Sequence, residues 1–257
     1  MRPRHLLAPG LIALATACSS LPPLDQNGKP ADGISDQEAA KIYIDKGVQY
    51  MEGGQYDIAL QDLSKAIDLD DDNSEAYNAL GVLYQQLNNV SEADSHFRKA
   101  LSIKPDNYAA RNNFGRLLCS TGRTAEAFEQ FTIVTGTRLY GQQWIPLTNA
   151  GVCAHSVGKL TEAERYLRSA LAANPAFPPA LLEMAKLSRE TGQPIAARGF
   201  LQRYISAAGA TPESLTLGVD IEMALGNPQS ASEYMQTLRT RFPDSPDVMR
   251  ERQRLGN

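Results

Sequence analysis

Few residues in this chain have side chains suited to chemistry. They are His5, His96 and His155, then Cys18, Cys119 and Cys153, and the acidic run Asp68-Leu69-Asp70-Asp71-Asp72-Asn73. Catalysis by an imidazole needs a carboxylate and a hydroxyl or thiol within reach, and no such spacing surrounds His96 or His155. Zinc needs Cys and His in closely spaced pairs, which the sequence lacks. The acidic run has neither the glycine nor the terminal glutamate of an EF-hand loop, so it reads as a solvated turn. No catalytic residue, metal site, cofactor or small-molecule substrate is expected. A formal charge of −4 over 257 residues, with 42% hydrophobic and 21% charged residues, is ordinary for a globular chain. It provides no basic footprint for nucleic acid.

Cys18 has a different setting. Arg2, Arg4 and His5 precede an almost wholly apolar stretch, Leu6 to Ala17, and Cys18 follows it. A basic start and about a dozen apolar residues form a secretory signal, too short to remain as a membrane span. Leu14-Ala15-Thr16-Ala17-Cys18 resembles a bacterial lipobox, although Ala15 stands where that motif usually has Leu. The alternative is an ordinary signal peptide with an incidental cysteine. The lipobox reading makes residues 1–17 a signal peptide and Cys18 a lipidation site, with acyl chains stabilising membrane attachment by roughly 0.8 kcal/mol per buried CH₂. Ser19 rather than Asp after the Cys implies sorting to the outer membrane of a Gram-negative cell, on its periplasmic face. The rest of 18–34 lacks apolar periodicity and reads as a tether. Sixteen such residues span roughly 50 Å when extended.

Beyond the tether, the chain repeats itself. Gly54, Asn88, Gly122, Gly158, Gly192 and Gly226 fall in one frame, at steps of 34, 34, 36, 34 and 34 residues. Five residues after each stands an alanine (Ala59, Ala93, Ala127, Ala163, Ala197 or Ala231), and four further on a large apolar residue (Leu63, Phe97, Phe131, Leu167, Leu201 or Met235). Seven residues before each turn is Gly47, Gly81, Gly115, Gly151, Ala185 or Val219. Small residues let two helices approach, a bulky one fills the space between them, and Gly or Asn supplies the left-handed turn. Such a hairpin buries its apolar face only by stacking on its neighbours, which makes a solenoid. Residues 74–107 resemble the tetratricopeptide repeat at Tyr77, Leu80, Gly81, Tyr84, Ala93, Phe97, Ala100 and Pro105. The expected fold is an all-α tetratricopeptide-repeat superhelix over 35–245, with repeats at 40–73, 74–107, 108–143, 144–177, 178–211 and 212–245. Ser35 and Glu38 have capping-box spacing, and 246–257 is expected to form a short polar cap.

This frame puts Cys119 and Cys153 at nearly the same height on the first helices of repeats three and four. Neighbouring first helices lie side by side, and the periplasm is oxidising. The two thiols are therefore expected to form a disulfide clamping those repeats, in preference to remaining buried and free. First helices also line the concave surface of such arrays. Their positions 5, 9 and 12 are Ile44, Val48 and Met51 in repeat one, Asn78, Val82 and Gln85 in repeat two, and Asn112, Arg116 and Cys119 in repeat three. These residues other than Cys119 form the expected protein-binding groove, apolar at the tethered end and polar further along. An exposed apolar stripe marks a partner site, whereas a tether or a neighbouring turn lying over it would make it structural.

The combination of lipobox, polar tether, six repeats and two repeat-helix cysteines resembles the type IV pilus biogenesis and stability lipoproteins of the PilF/PilW type. Asn149-Ala150-Gly151-Val152-Cys153 and Gly158-Lys159-Leu160-Thr161-Glu162-Ala163-Glu164 add to the likeness. The resemblance implies a pilotin, an outer-membrane lipoprotein that binds the type IV pilus secretin subunit and promotes its localisation and multimerisation, and so supports pilus biogenesis and twitching motility. Other periplasmic scaffolds of this build, adaptors of peptidoglycan hydrolases or accessories of β-barrel assembly, are the alternative.

Overall fold

A computed structural model describes residues 34–137, 139–246 and 248–249; the signal segment, Cys18 and all of the tether except Ile34 lie outside them. Among the described residues are twelve α-helices in six hairpins. They are α1 (Asp36–Glu52) with α2 (Tyr56–Leu69), α3 (Ser74–Gln86) with α4 (Val90–Ile103), α5 (Tyr108–Ser120) with α6 (Thr124–Thr135), α7 (Trp144–Ser156) with α8 (Leu160–Ala173), α9 (Pro178–Glu190) with α10 (Pro194–Ala208), and α11 (Pro212–Ala224) with α12 (Pro228–Arg241). The fold is an all-α tetratricopeptide-repeat superhelix.

Local chemistry sets the helix ends. The Ser35 hydroxyl accepts from the Glu38 amide at 3.2 Å while the Glu38 carboxylate accepts from the Ser35 amide at 3.0 Å, a reciprocal cap on α1. Proline opens α9, α10, α11 and α12, where its missing N–H leaves no helical bond unmade. Within each hairpin the chain turns through a left-handed residue. At Asn88, with φ 57°, that residue is not glycine, and Asn is among the few side chains that tolerate this region.

Inside a hairpin, the glycine of the first helix meets the large residue of the second. A Cβ built on Gly81 would lie 2.6 Å from the Phe97 ring, and one on Gly115 would lie 2.7 Å from the Phe131 ring. Gly47 faces Leu63 and Gly151 faces Leu167 in the same way. The last hairpin departs from the frame read in the sequence: Gly218, not Val219, makes the close approach, against Tyr234 rather than Met235. Met235 is only half-buried, while Leu238, one turn further along, is fully buried.

Hairpins then stack so that first helices adjoin in the order α1, α3, α5, α7, α9 and α11. Polar joints reinforce the apolar stacking. The buried Ser74 hydroxyl donates to the Ala100 carbonyl at 2.8 Å and accepts from the Asn107 amide at 2.8 Å, and Asn107 in turn caps α5. On the second helices, Asp94 of α4 accepts from Arg98 of its own helix and from Arg123 at the turn before α6, and Glu126 of α6 also pairs with Arg123. At the far end Val248 is buried against Leu215 and Leu238. The described part of the C-terminal segment therefore covers the array with an apolar side chain.

A candidate peptide-binding groove

The first helices carry the expected groove residues, but tertiary packing divides them into two groups. Ile44 and Met51 are buried, clustered with Tyr43 of α1 and with Ala76, Ala79, Leu80 and Leu83 of α3. Val48 is half-buried against the same cluster. The apolar stripe of repeat one is therefore core, not open groove. It packs in one cluster with the α3 residues of the neighbouring hairpin.

Among the remaining expected groove residues, Asn112 alone is buried. Asn78 is half-buried, and its side-chain oxygen accepts from the Asn113 amide at 3.0 Å. Asn112 is buried, with its oxygen accepting from the Asn149 amide at 2.8 Å. These bonds run α3 to α5 and α5 to α7, so an amide ladder ties three neighbouring first helices together. Val82 and Gln85 are half-buried, and Arg116 is exposed. Gln85, Arg116, Asn149, Val152, Ser120 and Ser156 line a hollow of about 400 Å³ on this face. Cys119 and Cys153, also in its wall, are disulfide-bonded across α5 and α7 with Cα atoms 5.9 Å apart. Asn113 and Asn149 were missed by sequence reasoning because they stand one residue past the usual groove position. Their only signal is an asparagine at position 6 of successive repeats.

Past α7 the wall changes character. His155 offers Nδ1 to Glu183 at 2.6 Å and Nε2 to Glu190 at 2.7 Å, which joins α7 to α9. Burial disfavours the charged ring, but the hydrogen bonds to Glu190 and Glu183 outweigh it and raise the His155 pKa above its ordinary value. Lys186 continues the chain from Glu183, at 3.4 Å, to Glu213, at 2.6 Å. His96 lies elsewhere, stacked on Tyr84 with ring centroids 5.2 Å apart, and burial lowers its pKa. In the acidic run, Asp70 accepts from Asn73 at 2.9 Å as part of a turn. Among the described residues no cluster of three or more His, Cys, Asp or Glu could hold a metal ion. The surface offers hydrogen-bonding amides, one disulfide and charges mostly joined in pairs, which suit recognition of another polypeptide.

Tetratricopeptide-repeat family models match residues 47–88, 74–107 and 154–218. The type IV pilus assembly protein PilF of Pseudomonas aeruginosa is 29% identical over 240 residues, which cover 93% of this chain and 92% of that one. The crystal structure of PilW, described as a widely conserved type IV pilus biogenesis factor, superposes with a TM-score of 0.76 at 34% identity, covering 82% of this chain and 97% of PilW. This chain belongs to the PilF/PilW family. The structure of Pseudomonas aeruginosa PilF superposes with a TM-score of 0.73 at 26% identity over 85% of this chain and 99% of that one. Family membership makes the protein a type IV pilus biogenesis factor built as a tetratricopeptide-repeat scaffold, a class that typically joins proteins rather than transforming substrates. Among its described residues no helix is long and apolar enough to cross a membrane.

Proposed function

We propose that this protein is a pilotin. It is held at the periplasmic face of the outer membrane by lipid on Cys18, binds the type IV pilus secretin subunit, and promotes multimerisation of the secretin pore through which pili pass. The observation that carries this reading is likeness over nearly the whole chain to two type IV pilus proteins, PilF and PilW. Three features support it. The lipobox-like ending before Cys18 supplies an anchor, a tether of roughly 50 Å gives reach, and the first helices present a pre-ordered polar face to an extended chain.

In a strain deleted for the protein, secretin is expected to run as monomer on gels that preserve its multimers, and twitching zones are expected to vanish. Normal secretin multimers in that strain would refute the role and favour a hydrolase adaptor or a β-barrel assembly accessory. Labelled palmitate is expected on the wild-type protein and not on Cys18→Ser, whose secretin should be mislocalised.

A further inference from the structure

Most cations of the first helices already have partners. Lys46 pairs with Asp62 at 3.3 Å, and Lys186 pairs with Glu183 and Glu213. Arg111 donates to the Pro105 carbonyl and to Gln130, and Arg189 donates to the Asp220 carbonyl. Arg116 differs. Its guanidinium is exposed on the middle of α5 and opens into the 400 Å³ hollow. Among the described residues no carboxylate lines that hollow: its other walls are the amides of Gln85 and Asn149, the hydroxyls of Ser120 and Ser156, the Val152 side chain and the disulfide.

The surroundings are also fixed before any ligand arrives. Asn149 is held by Asn112, Ser120 donates to the Leu117 carbonyl at 2.9 Å, and Ser156 donates to the Cys153 carbonyl at 2.9 Å. A rigid pocket loses little conformational freedom on binding, which raises affinity for a matching group.

We propose that Arg116 is the anchor of a carboxylate subsite that takes an aspartate or glutamate side chain from an extended segment of the partner protein. A guanidinium presents a planar fork of donors that matches a carboxylate, and the side-chain amide N–H groups of Gln85 and Asn149 complete its hydrogen bonds, the Ser120 and Ser156 hydroxyls being already committed to backbone carbonyls. The ligand is an internal side chain rather than a chain terminus because the pocket lies mid-array. First helices continue on both sides of it, α3 and α1 one way and α9 and α11 the other, so a bound chain runs past the pocket in both directions. Further along, the cations His155 and Lys186 are already paired with Glu183, Glu190 and Glu213 and leave a carboxylate no open partner, which sets the register at α5.

The proposal deepens the pilotin reading by naming what the groove recognises, and its test does not depend on secretin. A random dodecapeptide library displayed on phage is selected on the full-length mature protein and, in parallel, on Arg116→Glu and Arg116→Lys. Wild-type selection should enrich Asp or Glu at one position, Arg116→Glu should lose that enrichment in favour of Lys or Arg, and Arg116→Lys should keep it weakly. A synthetic peptide from the wild-type pool should bind Arg116→Glu roughly 10–100-fold more weakly than wild type, since a charge-assisted contact is lost and a like charge replaces it. Changing its acidic residue to Lys should restore binding to Arg116→Glu. Because Arg116 is exposed, all three proteins should melt together by circular dichroism. Pools without an acidic consensus, no enrichment at all, or equal binding by Arg116→Glu would each overturn the subsite. Loss of the pilotin reading would appear instead as normal secretin multimers in the deletion strain, with the acidic consensus intact.

Discussion

Replacing Gly81 by alanine sets two effects of opposite sign against each other. Alanine favours a helix interior over glycine by about 1 kcal/mol, so an exposed site would gain stability. Here the new Cβ would lie 2.6, 2.7 and 2.9 Å from three atoms of the Phe97 ring, well inside ordinary carbon contact of roughly 3.5–4.0 Å. The ring has nowhere to retreat. It is fully buried, and the Phe114 ring of the next repeat packs against it with its centroid 5.9 Å away. Overpacking costs about 1–3 kcal/mol, and a three-atom clash belongs at the upper end of that range. The net effect should be a loss of about 1–2 kcal/mol.

The chain contains its own control for this substitution. Repeat five carries Ala185 and Leu201 buried in one cluster, so this hairpin can hold an alanine–leucine pair, although a Cβ on Gly47 or Gly151 would lie 2.7 Å from Leu63 or Leu167. Phe97→Leu alone should cost about 1–2 kcal/mol by leaving a void. Together, Gly81→Ala and Phe97→Leu recreate the repeat-five pair, and their costs should fall short of the sum by about 1–2 kcal/mol. Urea unfolding followed by helical circular dichroism on the four proteins of the cycle measures this directly. If Gly81→Ala stabilises the protein, or the two changes simply add, the close-approach account of the hairpins is wrong.

Three further outcomes are expected. Counting thiols on unreduced, denatured mature protein should find none at Cys119 and Cys153, and breaking the bond with Cys119→Ser and Cys153→Ser together should cost roughly 4 kcal/mol, the loop-entropy value for a separation of 34 residues. Because the His155 pKa is higher in the folded state than its ordinary 6.5, the stability from its pairing is complete below about pH 6.5 and is lost as pH rises through the folded value. The melting temperature of the wild type should therefore fall relative to His155→Gln between about pH 6 and about pH 9, and parallel curves would show that the bridge to Glu183 and Glu190 contributes nothing. Asn88→Ala should lose about 1 kcal/mol to left-handed strain while Asn88→Gly stays within about 0.5 kcal/mol of wild type, as read from denaturation midpoints.

The sequence alone determined the hairpin and its period. A helix, a left-handed turn and a second helix need a small residue, a Gly or Asn and a bulky residue at fixed offsets, and those offsets recur at Gly81, Asn88 and Phe97 and at Gly115, Gly122 and Phe131. In the last hairpin the frame slipped by one residue, because Val219 and Met235 satisfy the same letter pattern that Gly218 and Tyr234 satisfy in space. Tertiary structure alone decided which first-helix residues remain open. Ile44 and Met51 occupy the same repeat positions as Asn78 and Gln85, yet they are buried with residues of α3 while Asn78 is only half-buried and Gln85 lines the hollow. It likewise decided that His155 meets Glu183 and Glu190, 28 and 35 residues away, and that Arg116 stands exposed at the hollow. Hairpin geometry is local, so spacing along the chain encodes it. Contacts between repeats depend on the rotation of one hairpin against the next, and many side chains together set that angle.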